Sequence, residues 1–274
     1  MNLRRFFLLL VALGFALLGW AYWSAVADPV VRRAEIELAD WPAGAPPIRV
    51  VLISDLHVAG PDMPPSRLAR IVDQVNALEP DLVLIAGDFV SDKRVSTRTY
   101  GADEAVAPLA RLRAPLGVVA VLGNHDHWRD AGAMRSALAA AGVRLLDNDA
   151  AAVGPLAIGG LDDAFTGHED VVSTLARMRT LPGARILLSH SPDPFPLVPR
   201  EIGLMLAGHT HCGQIRLPLI GAVSTMSDFG ERYACGLIRE DGKTLIVSAG
   251  LGTSILPLRL GAPSDLWLIR LGPH

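Results

Sequence analysis

Lysine is almost missing from this chain. Lys93 and Lys243 are the only two, and arginine carries the rest of the positive charge. With 25 basic and 28 acidic residues the formal net charge is −3, so the basic footprint of a nucleic-acid binder is absent. Cysteine is equally scarce. Cys212 and Cys235 form neither a CxxC metal knuckle nor a disulfide framework. They read as two small buried residues, or as one disulfide if the domain is exported. No Gly-x-Ser-x-Gly elbow is present, which argues against serine-hydrolase chemistry of that kind. Gly250-Leu251-Gly252-Thr253-Ser254 has the glycines of a phosphate loop but neither the lysine nor the spacing, and reads as a cleft-lining turn.

Hydrophobic residues, in contrast, make up 50% of the 274, and the mean hydropathy is +0.34. Much of that excess lies at the amino terminus. Arg4 and Arg5 precede an uncharged stretch that runs to Ala27, with Trp20, Tyr22 and Trp23 near its far end. At ~1.5 Å per residue a helix of this length reaches across the ~30 Å core of a bilayer, and the aromatic cluster suits an interface belt. The arginines favour a cytoplasmic amino terminus, with the remainder of a single-pass chain outside a bacterial inner membrane; the alternative keeps the main domain on the cytoplasmic face. Ala25-Val26-Ala27 also fits a signal-peptidase site, so residues 1–27 are either an anchor or a cleaved export signal.

Residues 28–47 carry Pro29, Pro42, Pro46 and Pro47 and read as a linker, with a short alternating strand near Ala34 to Leu38. The main domain is then 48–274. Its apolar runs at 48–53, 82–86, 118–122, 186–188 and 204–207 are short and bounded by turn residues, the pattern of strands buried on both faces. Helical periodicity lies between the first three: one helix capped by Ser66 and running through Leu78, one from Thr99 to Leu112, one from Asp130 to a terminating Gly142. This alternation predicts α/β layers. The runs at 233–239, 244–248 and 266–271 read as consecutive strands, which a second sheet would accommodate.

Five motifs follow the apolar runs in one order: Asp55-Leu56-His57, Gly87-Asp88, Gly123-Asn124-His125-Asp126, Ser189-His190 and Gly208-His209-Thr210-His211. Five of the eight histidines fall inside them. In open α/β sheets ligands bind at the carboxyl ends of strands, which is where each motif stands. In extended backbone, positions i and i+2 project to one side, so Asp55 with His57, and His209 with His211, can each aim two ligands at one place. Nitrogen and oxygen donors of this kind suit a pair of divalent metals, and two adjacent metals hydrolyse phosphate esters. Read as unrelated caps and turns, the same residues would have to coincide five times.

The ordered set resembles the calcineurin-like metallophosphoesterase superfamily over residues 55–211. Gly208 through Pro218, Ser248 through Ser254 and Pro257-Leu258-Arg259 are similar to one bacterial branch whose members carry an amino-terminal membrane or export segment. That branch includes enzymes that cleave UDP-2,3-diacylglucosamine, and its usual pattern has glycine where this chain has Cys212. The resemblance implies a four-layer α/β/β/α sandwich of two mixed sheets with a dimetal centre between them. It implies one metal on Asp55, His57 and His211, another on Asn124, His190 and His209, and Asp88 bridging both. The metals would be manganese, iron or zinc, among which such ligands do not select sharply. A metal-bridging hydroxide would attack phosphorus in line. His125 would stabilise the transition state or protonate the leaving oxygen, with Asp126 either orienting it or serving as a plain helix-start aspartate.

The expected partner is a phosphorylated small molecule or lipid, and the expected assembly a monomer. His127 and His168 are further candidates for substrate contact, against the reading of solvated loop residues. A phosphodiesterase or phosphatase of broad range shares the same chemistry. A non-catalytic scaffold retaining the fold would be marked by lost ligands, and none is lost here.

Overall fold

Strands buried on both faces have to be covered from two sides, and in this chain two sheets cover each other. The computed structural model describes residues 2–273. After an apolar helix α1 (Leu3–Val26) come β1 (Val30–Leu38), β2 (Ile48–Ile53), α2 (Pro65–Ala77), β3 (Leu82–Ala86), α3 (Ala102–Val106), β4 (Val118–Val121), α4 (Asn124–Ala140) and β5 (Arg144–Leu145). The second half holds β6 (Asp149–Val153), β7 (Leu156–Gly160), α5 (Val171–Arg179), β8 (Ala184–Leu188) and β9 (Leu204–Ala207). A small ribbon of β10 (Arg216–Leu217) and β11 (Gly221–Ala222) precedes β12 (Gly236–Glu240), β13 (Lys243–Val247) and β14 (Asp265–Pro273).

One sheet has the order β1-β14-β2-β3-β4-β5 and the other β12-β13-β9-β8-β7-β6. Side chains alternate across each strand. Val50 and Leu52 face Ile158, Ile186 and Leu206 of the opposite sheet, while Val51 and Ile53 face out to Leu68, Ile71 and Val72 of α2. On the far side Leu187 and Met205 pack on Leu175 and Met178 of α5. The layers are therefore helix, sheet, sheet, helix, as the motif resemblance implied.

Several local expectations are corrected. The stretch 28–47 is not a free linker: β1 runs its whole length beside β14, so it belongs to the first sheet. Ser66 does not cap α2, which starts at Pro65 in the first-turn position that tolerates a missing N–H. The helix expected over 99–112 is α3 alone, followed by a 3-10 turn around Pro108. The helix expected from Asp130 starts at Asn124, with extended backbone at Asp130 (φ −172°) separating the motif turn from the alanine-rich part. Of the last three strands, β12 and β13 join the second sheet, but β14 crosses into the first between β1 and β2.

Helix α1 stands apart from these layers. It has 24 residues and a mean hydropathy of 2.0 in its most apolar window, which is long and apolar enough to cross a membrane. Only Ala21 and Ala25 are buried. Its carboxyl end is tied down by three donors. Arg67 Nη2 gives a hydrogen bond to Ala27 O (2.7 Å), Gln74 Nε2 to Pro29 O (3.0 Å) and the Arg259 N–H to Ala21 O (2.9 Å).

Candidate metal centre

The motifs converge where the carboxyl ends of the two sheets meet. β2, β3 and β4 deliver Asp55, His57, Asp88, Asn124 and His125 from one sheet; β8 and β9 deliver His190, His209 and His211 from the other. The i, i+2 pairs do not work through extended backbone as expected. Asp55, His57, Asp88, His209 and His211 all have positive φ, between 45° and 70°. Left-handed backbone costs a non-glycine residue of order ~1–3 kcal/mol and persists only where neighbours impose it. Here the neighbours are visible. The His57 N–H donates to Asp88 O (2.9 Å), and the His209 N–H lies 3.0 Å from both Asp55 oxygens. A Cβ on Gly208 would fall onto Asp55 Oδ2, so only glycine lets the β9 turn approach that carboxylate.

The donor atoms form one continuous network. His57 Nε2 is 3.0 Å from His211 Nε2, and His211 Nε2 is 3.5 Å from Asp55 Oδ1. Asp88 Oδ2 stands 3.3 Å from His57 Nε2 and 3.2 Å from His190 Nε2. His190 Nε2 is 3.1 Å from both Asn124 Oδ1 and His209 Nδ1. Ligands ~2.0–2.2 Å from one ion stand about 3.0–3.4 Å apart, so these spacings match the edges of coordination polyhedra. The outward nitrogens fix the tautomers: His190 Nδ1 bonds Ala86 O (2.7 Å) and His209 Nε2 bonds Met226 O (2.9 Å). In the neutral form of each ring, that leaves a bare nitrogen facing the centre.

Electrostatics agree. Burial holds His57 and His211 well below the usual imidazole range and His209 down at about 4, so these rings are neutral, the form that ligates metals. Burial pushes Asp55 up to about 6. Burial would also raise Asp88, but His190 above all outweighs it and holds the carboxyl well below its ordinary range. His190 is the counterpart: burial disfavours its charge, yet Asp88 holds it well above the ordinary value. Two inward-facing carboxylates therefore call for positive charge at the centre, and a divalent cation supplies it.

Asp126 does not orient His125. Its carboxylate accepts from the N–H groups of Gly123 (3.0 Å), Asp88 (2.9 Å), Phe89 (2.9 Å) and Val90 (3.3 Å). It closes the start of α4 and pins the Asp88 turn. The residue beside His125 is Asp92, whose Oδ1 is 2.5 Å from Nδ1. Only its place four residues beyond Asp88 could have pointed to it. Replacing Asp92 by Asn should lower kcat by ~10–100-fold, the usual effect of losing an orienting partner, with metal content unchanged. Steady-state kinetics beside elemental analysis checks this, and loss of metal would show that Asp92 holds the site rather than His125.

A cavity of about 560 Å³ lies over the donor atoms, with Asp88, Asn124, His125, His209 and His211 in its wall. Trp128 lines it, and Phe165 packs on the His209 ring at 4.6 Å. Neither aromatic was expected at the site. His127 and His168 do not line this cavity. They stack on each other at 4.1 Å, His127 bonded to Asp162 (2.7 Å) and His168 to Thr166 (2.8 Å). Cys212 and Cys235 are joined in a disulfide, which corrects the reading of two separate buried residues. Cys212 has φ 52°, a conformation that favours the glycine usual at this point.

Donors spaced in this way around one shared carboxylate define a class, the hydrolases that split phosphoester bonds with a metal pair. The model of the calcineurin-like phosphoesterase family matches residues 48–213, more than half of the chain, and the chain belongs to that family. A Bacillus subtilis protein named "Uncharacterized metallophosphoesterase YkuE" is 32% identical over 263 residues, covering 92% of this chain and 90% of its own length. A zebrafish (Danio rerio) protein named "Transmembrane protein with metallophosphoesterase domain" is 32% identical over 266 residues. That match covers 90% of this chain but 58% of the zebrafish protein, so the chain spans little more than half of that relative. The protein is thus a metal-dependent phosphoester hydrolase.

Proposed function

We propose that this protein is a membrane-anchored dimetal hydrolase of phosphoester or pyrophosphate bonds, acting outside the cytoplasm on a phosphate carried by a lipid. The observation that carries the chemistry is the unbroken run of donor contacts, 3.0–3.5 Å, from Asp55 through His211, His57, Asp88 and His190 to Asn124 and His209. In this reading Asp55, His57 and His211 hold one metal, Asn124, His190 and His209 hold the other, and Asp88 is shared. When bound, the two metals lower the pKa of water to give a nucleophile and neutralise the phosphate oxygens.

The chain's own residues do the rest. His125 Nδ1 is engaged by Asp92, which leaves Nε2 to hand a proton to the leaving oxygen. Trp128 walls the cavity, backed by Phe165, and keeps bulk water off the reacting phosphate. Asp126 keeps the Asp88 carboxylate aimed by holding three consecutive N–H groups of its turn.

Location rests on two features. α1 carries Arg4 and Arg5 in its first turn and is uncharged from Phe6 onward, which favours an outward-facing domain. The Cys212–Cys235 disulfide favours an oxidising compartment. UDP-2,3-diacylglucosamine is a cytoplasmic lipid precursor, so this orientation favours other lipid phosphates over it. A monomer suffices, because every donor comes from one chain.

The test is direct. Purified full-length protein should contain close to two divalent metals per chain and hydrolyse bis-p-nitrophenyl phosphate. A chelator should abolish turnover and manganese restore it. Protein that binds no metal and turns over nothing under any divalent ion would overturn the proposal. Comparing lipid phosphates with UDP-2,3-diacylglucosamine then decides the substrate.

A further inference from the structure

Six of the large exposed apolar side chains of the domain gather on two neighbouring loops. Leu219 (109% exposed), Ile220 (74%), Val223 (65%) and Met226 (50%) follow one another on the β10–β11 ribbon and the loop after it, and Ile255 (60%) and Leu256 (42%) stand on a neighbouring loop. The two loops are stitched together: Gln214 Nε2 bonds Leu256 O (3.0 Å), the Leu260 N–H bonds Gln214 O (3.0 Å) and the Arg216 N–H bonds Leu260 O (2.7 Å). Single exposed apolar residues are ordinary, but a contiguous patch of this kind marks a contact surface.

The partner follows from where the patch sits relative to α1. The Arg259 N–H bonds Ala21 O, so the 255–260 loop meets α1 at that turn. Leu256 is three residues from Arg259 and therefore within ~11 Å of it. Outward from Ala21 the helix is exposed; its uncharged residues Phe6 to Trp20 rise ~22 Å, and Arg4 and Arg5 mark the far interface of a ~30 Å bilayer core. The water boundary thus falls at Trp20 and Ala21. Trp20 and Trp23 mark it, each 57% exposed with ring centroids 4.9 Å apart. The apolar loops are joined to that turn of α1 through Arg259 and Leu260.

We propose that the β10–β11 tip and the Ile255–Leu256 loop form a second membrane contact, dipping into the leaflet from which α1 emerges. This rests on the reading of α1 as an anchor. It also sets how substrate arrives. Val223, Met226, Ile255 and Leu256 of the patch also line the cavity that holds His209 and His211, so the patch borders the mouth. With the patch in the leaflet, the mouth opens onto lipid, and a phosphate reaches the donors on a molecule whose acyl chains stay in the bilayer.

The experiment places one nitroxide label per protein in the full chain, reconstituted in phosphatidylethanolamine–phosphatidylglycerol nanodiscs. The sites are Leu13→Cys in α1, Leu219→Cys at the ribbon tip and Val172→Cys on α5 in the opposite layer. Both native cysteines are consumed in the disulfide. Collision with oxygen, which concentrates in lipid, is compared with collision with a water-soluble nickel chelate. Labels at 13 and 219 should report lipid, and the label at 172 water. A lipid signal at 13 with a water signal at 219 overturns the docking proposal and leaves the anchor standing. A water signal at 13 overturns both. Ile220→Cys repeats the measurement one residue along if Leu219→Cys fails to fold.

Discussion

Asp88→Asn should leave the protein folded and almost inactive, with kcat/KM on bis-p-nitrophenyl phosphate down by ~10³-fold or more. Among the described residues, the carboxylate is the one group whose single oxygen lies within 3.3 Å of imidazole nitrogens from both sheets. An amide is nearly isosteric but carries no charge, so two cations could no longer be held side by side. Metal Lewis acidity is worth several kcal/mol of transition-state stabilisation, and each ~1.4 kcal/mol is tenfold in rate. The backbone turn should survive, because Asp126 holds the N–H groups of Asp88, Phe89 and Val90 independently of the Asp88 side chain. Elemental analysis should show less than two metals per chain. Full metal content with normal turnover would remove Asp88 from the shared position.

His125→Ala should separate chemistry from metal binding. Its ring lies edge-on to His57 at 4.6 Å and is tied to Asp92, and the network from Asp55 to His209 is continuous without it. The expected outcome is full metal content with kcat reduced by ~10²–10⁴-fold, the range for a proton donor or acceptor in the transition state. Substrates with a good leaving group, such as p-nitrophenolate, need less protonation and should show the smaller loss. Equal losses for good and poor leaving groups would assign His125 to charge stabilisation rather than proton transfer. Unchanged kinetics would exclude it from the reaction.

The parts of the fold that were legible in the sequence are those with a strong local signal. β2, β3 and β9 coincide with their apolar runs because each is fully apolar or nearly so and stops at a turn that carries a motif. β6 and β7 gave no such signal. Ala150, Ala151 and Ala152 have little β propensity, and Gly159 and Gly160 are in a strand only because Met178 and Leu146 pack where a Cβ would stand. The crossing of β14 into the first sheet was equally hidden, since strand order depends on partners far along the chain. The motif residues were legible as a group. Their backbone was not, because left-handed turns at Asp55 and His57 depend on contacts with the β3 turn and the 250–252 loop. Asp92 escaped for the same reason: nothing local ties it to His125, and only the fold brings them together.

Arg67 and Arg259 are both almost wholly buried, and burial lowers each to about 10. Both reach from the end of α1 to the loop beneath the candidate centre. Arg67 touches Ala27 O and Leu251 O, and the Arg259 side chain fans over Ala249, Gly250 and Gly252 with Nη2 3.2 Å from His211 Nδ1. Removing α1 would therefore do more than take away an apolar helix. It would strip two acceptors from hidden donors, at ~1–3 kcal/mol for each orphan, and slacken the scaffolding under His211. Helix α1 and the loop under the candidate centre are braced as one unit.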